Sequence, residues 1–105
     1  MKAIKGILEE ELTNSRAMKA DYERELAKLP KGSLVGKEIK GHRYYYLQVR
    51  EGGRSRFIYK GKLSDREVAG YERAKRRRAM YRGLLTEVKK QIRFLEKVLH
   101  EHKSV

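Results

Sequence analysis

Apolar residues recur every three or four positions through the first 29 residues, with Glu and Lys between them. The stripe consists of Ile4, Leu8, Leu12, Met18, Tyr22, Leu26 and Leu29. This spacing is the period of an amphipathic helix that buries one face. Pro30 follows and lacks the backbone N–H that a helix interior requires, so we predict a first helix over residues 1–29.

From residue 34 to residue 62 the helical period is lost, and glycines separate short runs rich in Val, Ile, Tyr and Phe. Such runs bounded by glycine are typical of β-strands. We predict an antiparallel three-stranded meander over residues 34–62, with strands at 34–40, 43–50 and 54–60. Gly52 and Gly53 supply the positive φ that a tight hairpin turn needs.

A second helical stripe follows the strands. Ser64 and Glu67 have the spacing of a capping box, in which each side chain accepts a hydrogen bond from the backbone N–H of the other residue. Apolar residues continue at helical spacing as far as Leu99, which predicts a second helix over residues 64–103, about 60 Å long. Neither helix can bury its stripe alone, so we expect the two to pack antiparallel as a coiled-coil-like hairpin.

These elements predict an α+β protein in a single domain over residues 1–105. The expected order is an N-terminal helix, a small antiparallel three-stranded β-meander and a long C-terminal helix. The stripe between residues 81 and 99 should face the first helix, which leaves residues 68–78 nearer the sheet. Because such a core is thin for 105 residues, pairing of two helical hairpins would bury more apolar surface, and the sequence is compatible with a homodimer.

The net charge of the chain indicates which class of molecule it binds. The chain has 27 Lys and Arg against 14 Asp and Glu, a net charge of +13. An excess of this size attracts polyanions over long range, so nucleic acid leads the candidates, ahead of anionic membranes and acidic proteins. Residues 1–29 have six bases and six acids, whereas residues 30–63 carry +7 and residues 64–105 carry +6. The positive field is therefore concentrated in the middle of the sequence.

The sequence indicates a cytoplasmic protein. It has no Cys, and no apolar run approaches the roughly 20 residues that cross a bilayer. Three consecutive Glu residues at positions 9–11 occupy the place where a signal peptide has its apolar stretch. Binding to a membrane surface is disfavoured, because the apolar face beside the basic residues is needed by the first helix.

Catalysis requires side chains that converge, such as a nucleophile with a base or a metal ion with three ligands. We find no such set in the sequence, and the glycine spacing matches no phosphate-binding fingerprint. We therefore predict a protein that is not an enzyme and that uses neither a cofactor nor a metal.

The middle strand combines tyrosines with basic residues, and its side chains alternate between two faces. One face is predicted to be core and consists of Tyr45, Leu47 and Val49. The other face carries groups that stack on bases and bind phosphates, namely Tyr44, Tyr46, Gln48 and Arg50. The competing interpretation is that these tyrosines cover apolar surface beneath the helices and that the arginines are simply solvated.

The pairing of the second hairpin decides which residues join this face. We favour Leu47 opposite Phe57 and Tyr45 opposite Tyr59, with a bulge at Gly53. In this register the outer face gains Arg54, Arg56, Ile58 and Lys60. A strict two-residue turn would shift the pairing by one residue and place Arg56 with the core set, an arrangement that we disfavour because it misplaces charge.

A basic block without a single acid lies in the first half of the second helix. It consists of Arg73, Lys75, Arg76, Arg77, Arg78 and Arg82. Such bases can also be ordinary solvated side chains whose stems cover apolar neighbours. Their position next to a basic sheet favours one continuous surface for a polyanion.

Four segments carry a family resemblance. They are Leu-Pro-Lys-Gly-Ser at residues 29–33, Tyr-Tyr-Tyr-Leu at 44–47, Arg-Glu-Gly-Gly at 50–53 and Tyr-Lys-Gly-Lys at 59–62, the last followed by Ser64. With them the chain resembles a family of small, functionally uncharacterised prokaryotic and mobile-element proteins that have a Tyr-rich hairpin and a long terminal helix. The resemblance covers most of the chain and implies architecture, not activity.

A looser likeness covers residues 34 to about 75. Here the chain is similar to the arm-type DNA-binding domain of tyrosine recombinases, in which a Tyr-containing three-stranded sheet precedes a helix and contacts DNA. This likeness implies DNA contacts by Tyr46, Arg50, Arg54 and Arg56. The present chain differs in having a long helix before the sheet and no recombinase catalytic domain after it.

Together these observations predict a non-enzymatic nucleic-acid-binding protein, with DNA favoured over RNA. The candidate binding residues are Tyr44, Tyr46, Gln48, Arg50, Arg54, Arg56, Lys60, Lys62, Arg73, Arg76, Arg77, Arg78 and Arg82. The alternative is a small adaptor or inhibitor, encoded by a mobile element, that binds an acidic protein surface or a ribonucleoprotein complex.

Overall fold

A computed structural model describes residues 2–103. The elements along the chain are α1 (Lys2–Lys28), β1 (Ser33–Ile39), β2 (His42–Glu51), β3 (Arg54–Gly61) and α2 (Asp65–Lys103). Two helices thus flank a three-stranded antiparallel sheet, which confirms the predicted α+β architecture. The outermost positions of the predicted domain, Met1, Ser104 and Val105, lie outside the described residues.

The chain groups into two compact units, and α2 contributes to both. We call the first the helical unit, which combines residues 1–28 with residues 80–105, and the second the sheet unit, Leu29–Ala79.

The helical unit is the predicted antiparallel pairing of α1 with the C-terminal part of α2. Leu12, Leu95 and Leu99 form its buried cluster. Near the other end of the contact, the ring centroids of Tyr22 and Tyr81 are 6.2 Å apart. The stripe between residues 81 and 99 therefore faces α1, as its spacing predicted.

A polar pair lies within this helix contact. Ser15 is completely buried, and its Oγ accepts a hydrogen bond from Nε2 of Gln91 at 2.8 Å. The Arg16 guanidinium donates to the Glu96 carboxylate at 3.1 Å in an exposed ion pair between the same two helices. Such an exposed ion pair contributes on the order of 0.5 kcal/mol, so the leucine cluster dominates the contact.

The sheet unit contains the meander, in the strand order β1-β2-β3, and the start of α2. The capping box at the start of α2 is confirmed. The Glu67 backbone N–H donates to Ser64 Oγ at 3.1 Å, and the Ser64 N–H donates to Glu67 Oε1 at 3.2 Å. These two bonds satisfy N–H groups that a helix N-terminus otherwise leaves without partners, which is why α2 begins at Asp65.

The register of the second hairpin differs from the one we favoured. Glu51 pairs with Arg54 across Gly52 and Gly53 alone, so Leu47 faces Ile58 instead of Phe57. Both glycines have positive φ, 57° and 79°, which is the backbone of a strict two-residue turn matched to the twist of the strands.

The expected bulge at Gly53 is therefore wrong, and so is the pairing of Tyr45 with Tyr59. The irregularity lies at the other end of the hairpin, where Tyr46 pairs with Tyr59 and Tyr45 with Gly61, leaving Lys60 as the extra residue. We disfavoured this register because it places the Arg56 charge with the core residues, but the structure accommodates that charge. Arg56 shares a sheet face with Leu47 but remains exposed and pairs with the Glu51 carboxylate at 3.5 Å.

Arg78 is the main correction to the predicted binding residues, because it is buried with 6% of its surface exposed. Its guanidinium donates hydrogen bonds to the backbone carbonyls of Pro30 and Gly32, the latter at 2.7 Å. These carbonyls belong to the connection between α1 and β1. Arg78 lies four residues after the buried Ala74 on the same helical face, so it points inward and not toward a phosphate backbone.

Gly32 is needed where this connection crosses β2. Its φ is 104°, and a Cβ atom at this position would come within 2.9 Å of Leu47 Cγ and of the Gln48 carbonyl oxygen. Because Gly32 also accepts the Arg78 hydrogen bond, the N-terminal part of α2 packs on the sheet face that carries Leu47. We call this face the inner face.

Replacing Arg78 with Met is expected to lower the free energy of unfolding by about 2–3 kcal/mol, because two carbonyl groups lose charged hydrogen-bond donors. The neighbouring variant Arg77→Met removes the same charge from an exposed position and should change stability by about 0.5 kcal/mol or less. Urea denaturation followed by circular dichroism measures both. Equal stability of the two variants would contradict the structural role of Arg78.

Candidate nucleic-acid interface

The sheet presents a second face, opposite the inner face, which we call the aromatic face. Alternation along the strands and the observed register place one set of side chains there. The set consists of Ser33, Val35, Lys37 and Ile39 from β1, His42, Tyr44, Tyr46, Gln48 and Arg50 from β2, and Ser55, Phe57 and Tyr59 from β3. The predicted grouping of Tyr44 with Tyr46, Gln48 and Arg50 is thus observed, but its partners on β3 are two aromatic residues and a serine.

The aromatic face is open. Phe57 is 57% exposed and Tyr59 is 58% exposed, whereas Leu47 on the inner face is 7% exposed. Both rings were predicted to pack in the core, and the one-residue change of register is the reason that they do not. Contiguous exposed apolar surface of this kind marks an interaction site more often than it serves the fold.

The rings on this face are held in a defined arrangement. The centroids of Tyr46 and Tyr59 are 5.3 Å apart, and the two rings are tilted by 57°. These rings, together with Tyr44 and Ile39, line a shallow groove of about 500 Å³. An inclined ring pair of this type stabilises the orientation of Tyr59 by about 0.5–1.5 kcal/mol beyond the area that it buries.

Cations border the rings. Lys37 Nζ lies 5.7 Å from the ring centroid of Tyr46, and Lys62 Nζ lies 5.8 Å from the ring centroid of Tyr44. Each is an exposed cation–π contact, worth about 0.5–1 kcal/mol, which leaves the ammonium group able to bind an anion from solvent. Arg50 is exposed on the same face. Ring surface and positive charge therefore occur side by side.

Three residues predicted for this surface lie elsewhere. Arg54 and Arg56 share the inner face with Leu47 and Val49, at the end of the sheet next to the Gly52–Gly53 turn. Lys60 is the extra residue of β3 and has no place in the alternation. The positive charge of the aromatic face consequently comes from Lys37, Arg50 and Lys62, of which Lys37 was not among the predicted residues.

The arginines of α2 form a separate basic surface. Arg66, Arg73 and Arg77 are exposed at a spacing of seven and four residues, which puts them on one side of the helix. Ala74 and Arg78 are buried on another side, the one that faces the inner face of the sheet. The arginine row thus lies about 100° around the helix from the buried side, and the continuous surface with the aromatic face that the sequence suggested stays a prediction.

Arg76 is exposed next to that row, and Arg82 lies in the helical unit. Among the described residues of the sheet unit, none of the arginines at positions 50, 54, 66, 73, 76 and 77 has a carboxylate within 4.0 Å. In the helical unit, Lys5, Arg16, Arg24, Lys28 and Lys90 all have such an acidic partner. Acids thus partner many cations of the helical unit and leave most arginines of the sheet unit to the solvent.

Net charge follows the same division. Residues 29–79 contain 15 Lys and Arg against 5 Asp and Glu, a net charge of +10. Residues 1–28 and 80–105 contain 12 against 9, a net charge of +3. About half of the chain therefore carries most of its charge, and this half also carries the exposed rings.

The described residues contain neither a membrane-spanning helix nor a cluster of metal-binding side chains. Within residues 2–103, no helix is both long and apolar enough to cross a membrane. Among these same residues, His, Asp and Glu side chains do not gather in groups of three that could hold a metal ion.

The chain belongs to a protein family. Residues 8–70 match the family described as Domain of unknown function (DUF6788), and this match covers more than half of the chain. The matched segment runs from α1 through all three strands into the start of α2, so it includes the aromatic face and ends before Arg73. This confirms the resemblance to a functionally uncharacterised family, whereas the likenesses to mobile-element proteins and recombinases stay predictions. No curated protein and no solved structure matches the chain.

Replacing Phe57 with Ala should lower the free energy of unfolding by at most about 1 kcal/mol, since more than half of the side chain is already in water. Replacing Leu47 with Ala on the inner face should cost about 2–5 kcal/mol. Chemical denaturation of both variants checks the comparison. A decrease at Phe57 as large as the decrease at Leu47 would mean that the aromatic face is covered.

Proposed function

We propose that this protein is a non-enzymatic nucleic-acid-binding protein that binds through its sheet unit. The observation that carries the proposal is the net charge of +10 on residues 29–79, with exposed arginines that have no acidic partner. Cations without a partner hold no favourable ion pair that binding must break. When they meet phosphates they release condensed counterions, which supplies much of the affinity of proteins for nucleic acids.

The aromatic face supports nucleic acid over a generic polyanion. Phosphates alone require cations, whereas Tyr44, Tyr46, Phe57 and Tyr59 offer planar apolar surface to bases. Lys37, Arg50 and Lys62 border these rings and can neutralise the phosphates that accompany the bases. The proposed contact surface is therefore the aromatic face together with its bordering cations, and we favour DNA over RNA as the ligand.

The arginine row of α2 has a different role in this proposal. Arg73 and Arg77 belong to α2, whereas the rings and their bordering cations belong to the sheet, so we treat the row as a second surface. Their charge adds to the field that attracts a polyanion, most strongly at low salt, because at physiological salt the field is largely screened beyond about 8 Å. We assign the row to long-range attraction of the nucleic acid and to the contacts of longer strands.

Binding of a DNA oligonucleotide should weaken steeply as the salt concentration rises. Removing two bordering cations with Lys37→Ala and Lys62→Ala should reduce the slope of log affinity against log salt by about 2, close to one for each phosphate that these lysines neutralise. Fluorescence anisotropy of a labelled oligonucleotide over a series of salt concentrations measures this slope.

The matched control is the pair Lys89→Ala and Lys97→Ala, which removes the same charge from exposed positions in the helical unit. This pair should leave the slope unchanged. The proposal fails if no oligonucleotide is retained at low salt, or if both pairs lower the slope equally. A partner captured from cell extract that withstands nuclease would favour the alternative, an adaptor bound to an acidic protein.

A further inference from the structure

Resting on the proposed function, we infer that the aromatic face binds single-stranded DNA by stacking bases on Phe57 and Tyr59. Lys37 and Lys62, at the Tyr44 end of the face, and Arg50, at the Phe57 end, then meet the phosphates of these nucleotides. Stacking of this kind identifies a single strand as the ligand and gives the rings and the cations separate roles. Net charge by itself indicates only a polyanion.

The chemistry of Phe57 favours stacking over groove reading. A phenyl ring has no hydrogen-bond donor or acceptor, so it cannot bind a phosphate, and its contact with the edge of a base pair is limited to apolar groups such as the thymine methyl. It can offer its flat surface to the flat surface of a base. In a duplex these base surfaces are covered by the neighbouring base pairs, whereas a single strand exposes them.

The spacing of the two rings also favours an unstacked strand. Phe57 and Tyr59 are two residues apart on β3 and point to the same face. Their separation along the strand is about 6.8 Å, twice the rise of about 3.4 Å per nucleotide in a stacked helix. Two consecutive bases can therefore occupy both rings only if they have separated from each other.

The bordering cations leave these two rings free for bases. Lys37 and Lys62 lie over the rings of Tyr46 and Tyr44. Phe57 has no such contact within the described chain, and Tyr59 is instead tilted against Tyr46. Lys37, on β1, and Lys62, just after β3, lie at the Tyr44 end of the face, and Arg50 lies at the Phe57 end, so a phosphate-binding cation is present at each end of the two rings.

Charge argues against the two protein occupants of such a face. A second copy would bring together two sheet units of +10 each, whose repulsion opposes association through this face. An acidic protein would present carboxylates, which bind the bordering cations but leave the exposed rings of Phe57 and Tyr59 without planar partners. A polyanion that also carries planar groups satisfies both features.

The surroundings of the rings favour DNA over RNA. Val35, Ile39 and Phe57 contribute apolar groups to the face, and the side chains of Gln48 and Ser55 are hydrogen-bonded to each other at 3.3 Å. A ribose 2′-hydroxyl placed against these apolar side chains loses water without gaining a partner, which disfavours binding. A deoxyribose has no such group to desolvate.

A tryptophan reporter tests the inference directly. The chain contains no Trp, so Phe57→Trp introduces a single indole on the aromatic face that should stack and have its emission quenched by a bound base. The control is Phe94→Trp, at an equally exposed position in the helical unit, where quenching should be absent. Tyr59→Trp serves as a second reporter should the first variant fail to fold.

Three probes share one sequence of about 20 nucleotides without self-complementarity: single-stranded DNA, its duplex, and the corresponding single-stranded RNA. In the Phe57→Trp variant we expect quenching by single-stranded DNA at a concentration about tenfold lower than by the duplex, with RNA weaker than DNA. Phe57→Leu, which keeps an apolar side chain but cannot stack, should bind the single strand about fivefold to 100-fold more weakly.

The outcomes separate this inference from the proposed function. Equal binding of duplex and single strand, with no quenching in the Phe57→Trp variant, overturns the stacking site while leaving nucleic-acid binding intact. Tighter binding of RNA than of single-stranded DNA overturns the choice of DNA. Absence of binding by all three probes at low salt overturns the proposed function itself. A dimer that dissociates in the Phe57→Leu variant would identify a second copy as the occupant instead.

Discussion

The two-residue turn at Gly52 and Gly53 determines which side chains of β3 lie on the open face of the sheet. Side chains alternate along a strand with a period of two, so the length of this turn determines which half of β3 faces outward. With both glycines in the left-handed region, Phe57 and Tyr59 emerge beside Tyr46 on the open face, and Arg56 turns to the other face, where Glu51 partners it. A turn longer by one residue would move the rings to the inner face and the arginines to the open face.

Fold and candidate function are separated in this chain. Leucines and ion pairs hold α1 against the end of α2 in the helical unit, which carries little net charge. The sheet unit carries most of the charge and the exposed rings. Two adjacent arginines of α2 show the same separation. Arg77 is exposed to solvent, whereas Arg78 is buried and donates a hydrogen bond to the Gly32 carbonyl.

Much of the architecture follows from local pattern. The stripe ending at Leu29, the Ser64–Glu67 capping box and the alternation of β2 predicted the helices, the strands and one face of the sheet. The register could not be predicted, because both alternatives kept Leu47 buried and the choice between them depended on whether Arg56 could lie beside the core residues. Its ion pair with Glu51 made that position tolerable, and only the three-dimensional arrangement reveals it. The burial of Arg78 was missed because Arg78 was assigned to the basic block as a whole. Its position four residues after Ala74, on the buried side of the helix, was not used.

The most direct test of the proposed stacking site is a map of where DNA contacts the protein. Titration of the ¹⁵N-labelled chain with a short single-stranded DNA, followed by ¹H–¹⁵N correlation spectra, reports each backbone amide separately. We expect shifts concentrated in β2 and β3 around Tyr46, Phe57 and Tyr59, with the amides of α1 unmoved. Shifts confined to the helical unit, or strands that stay unchanged while DNA binds, would contradict the site.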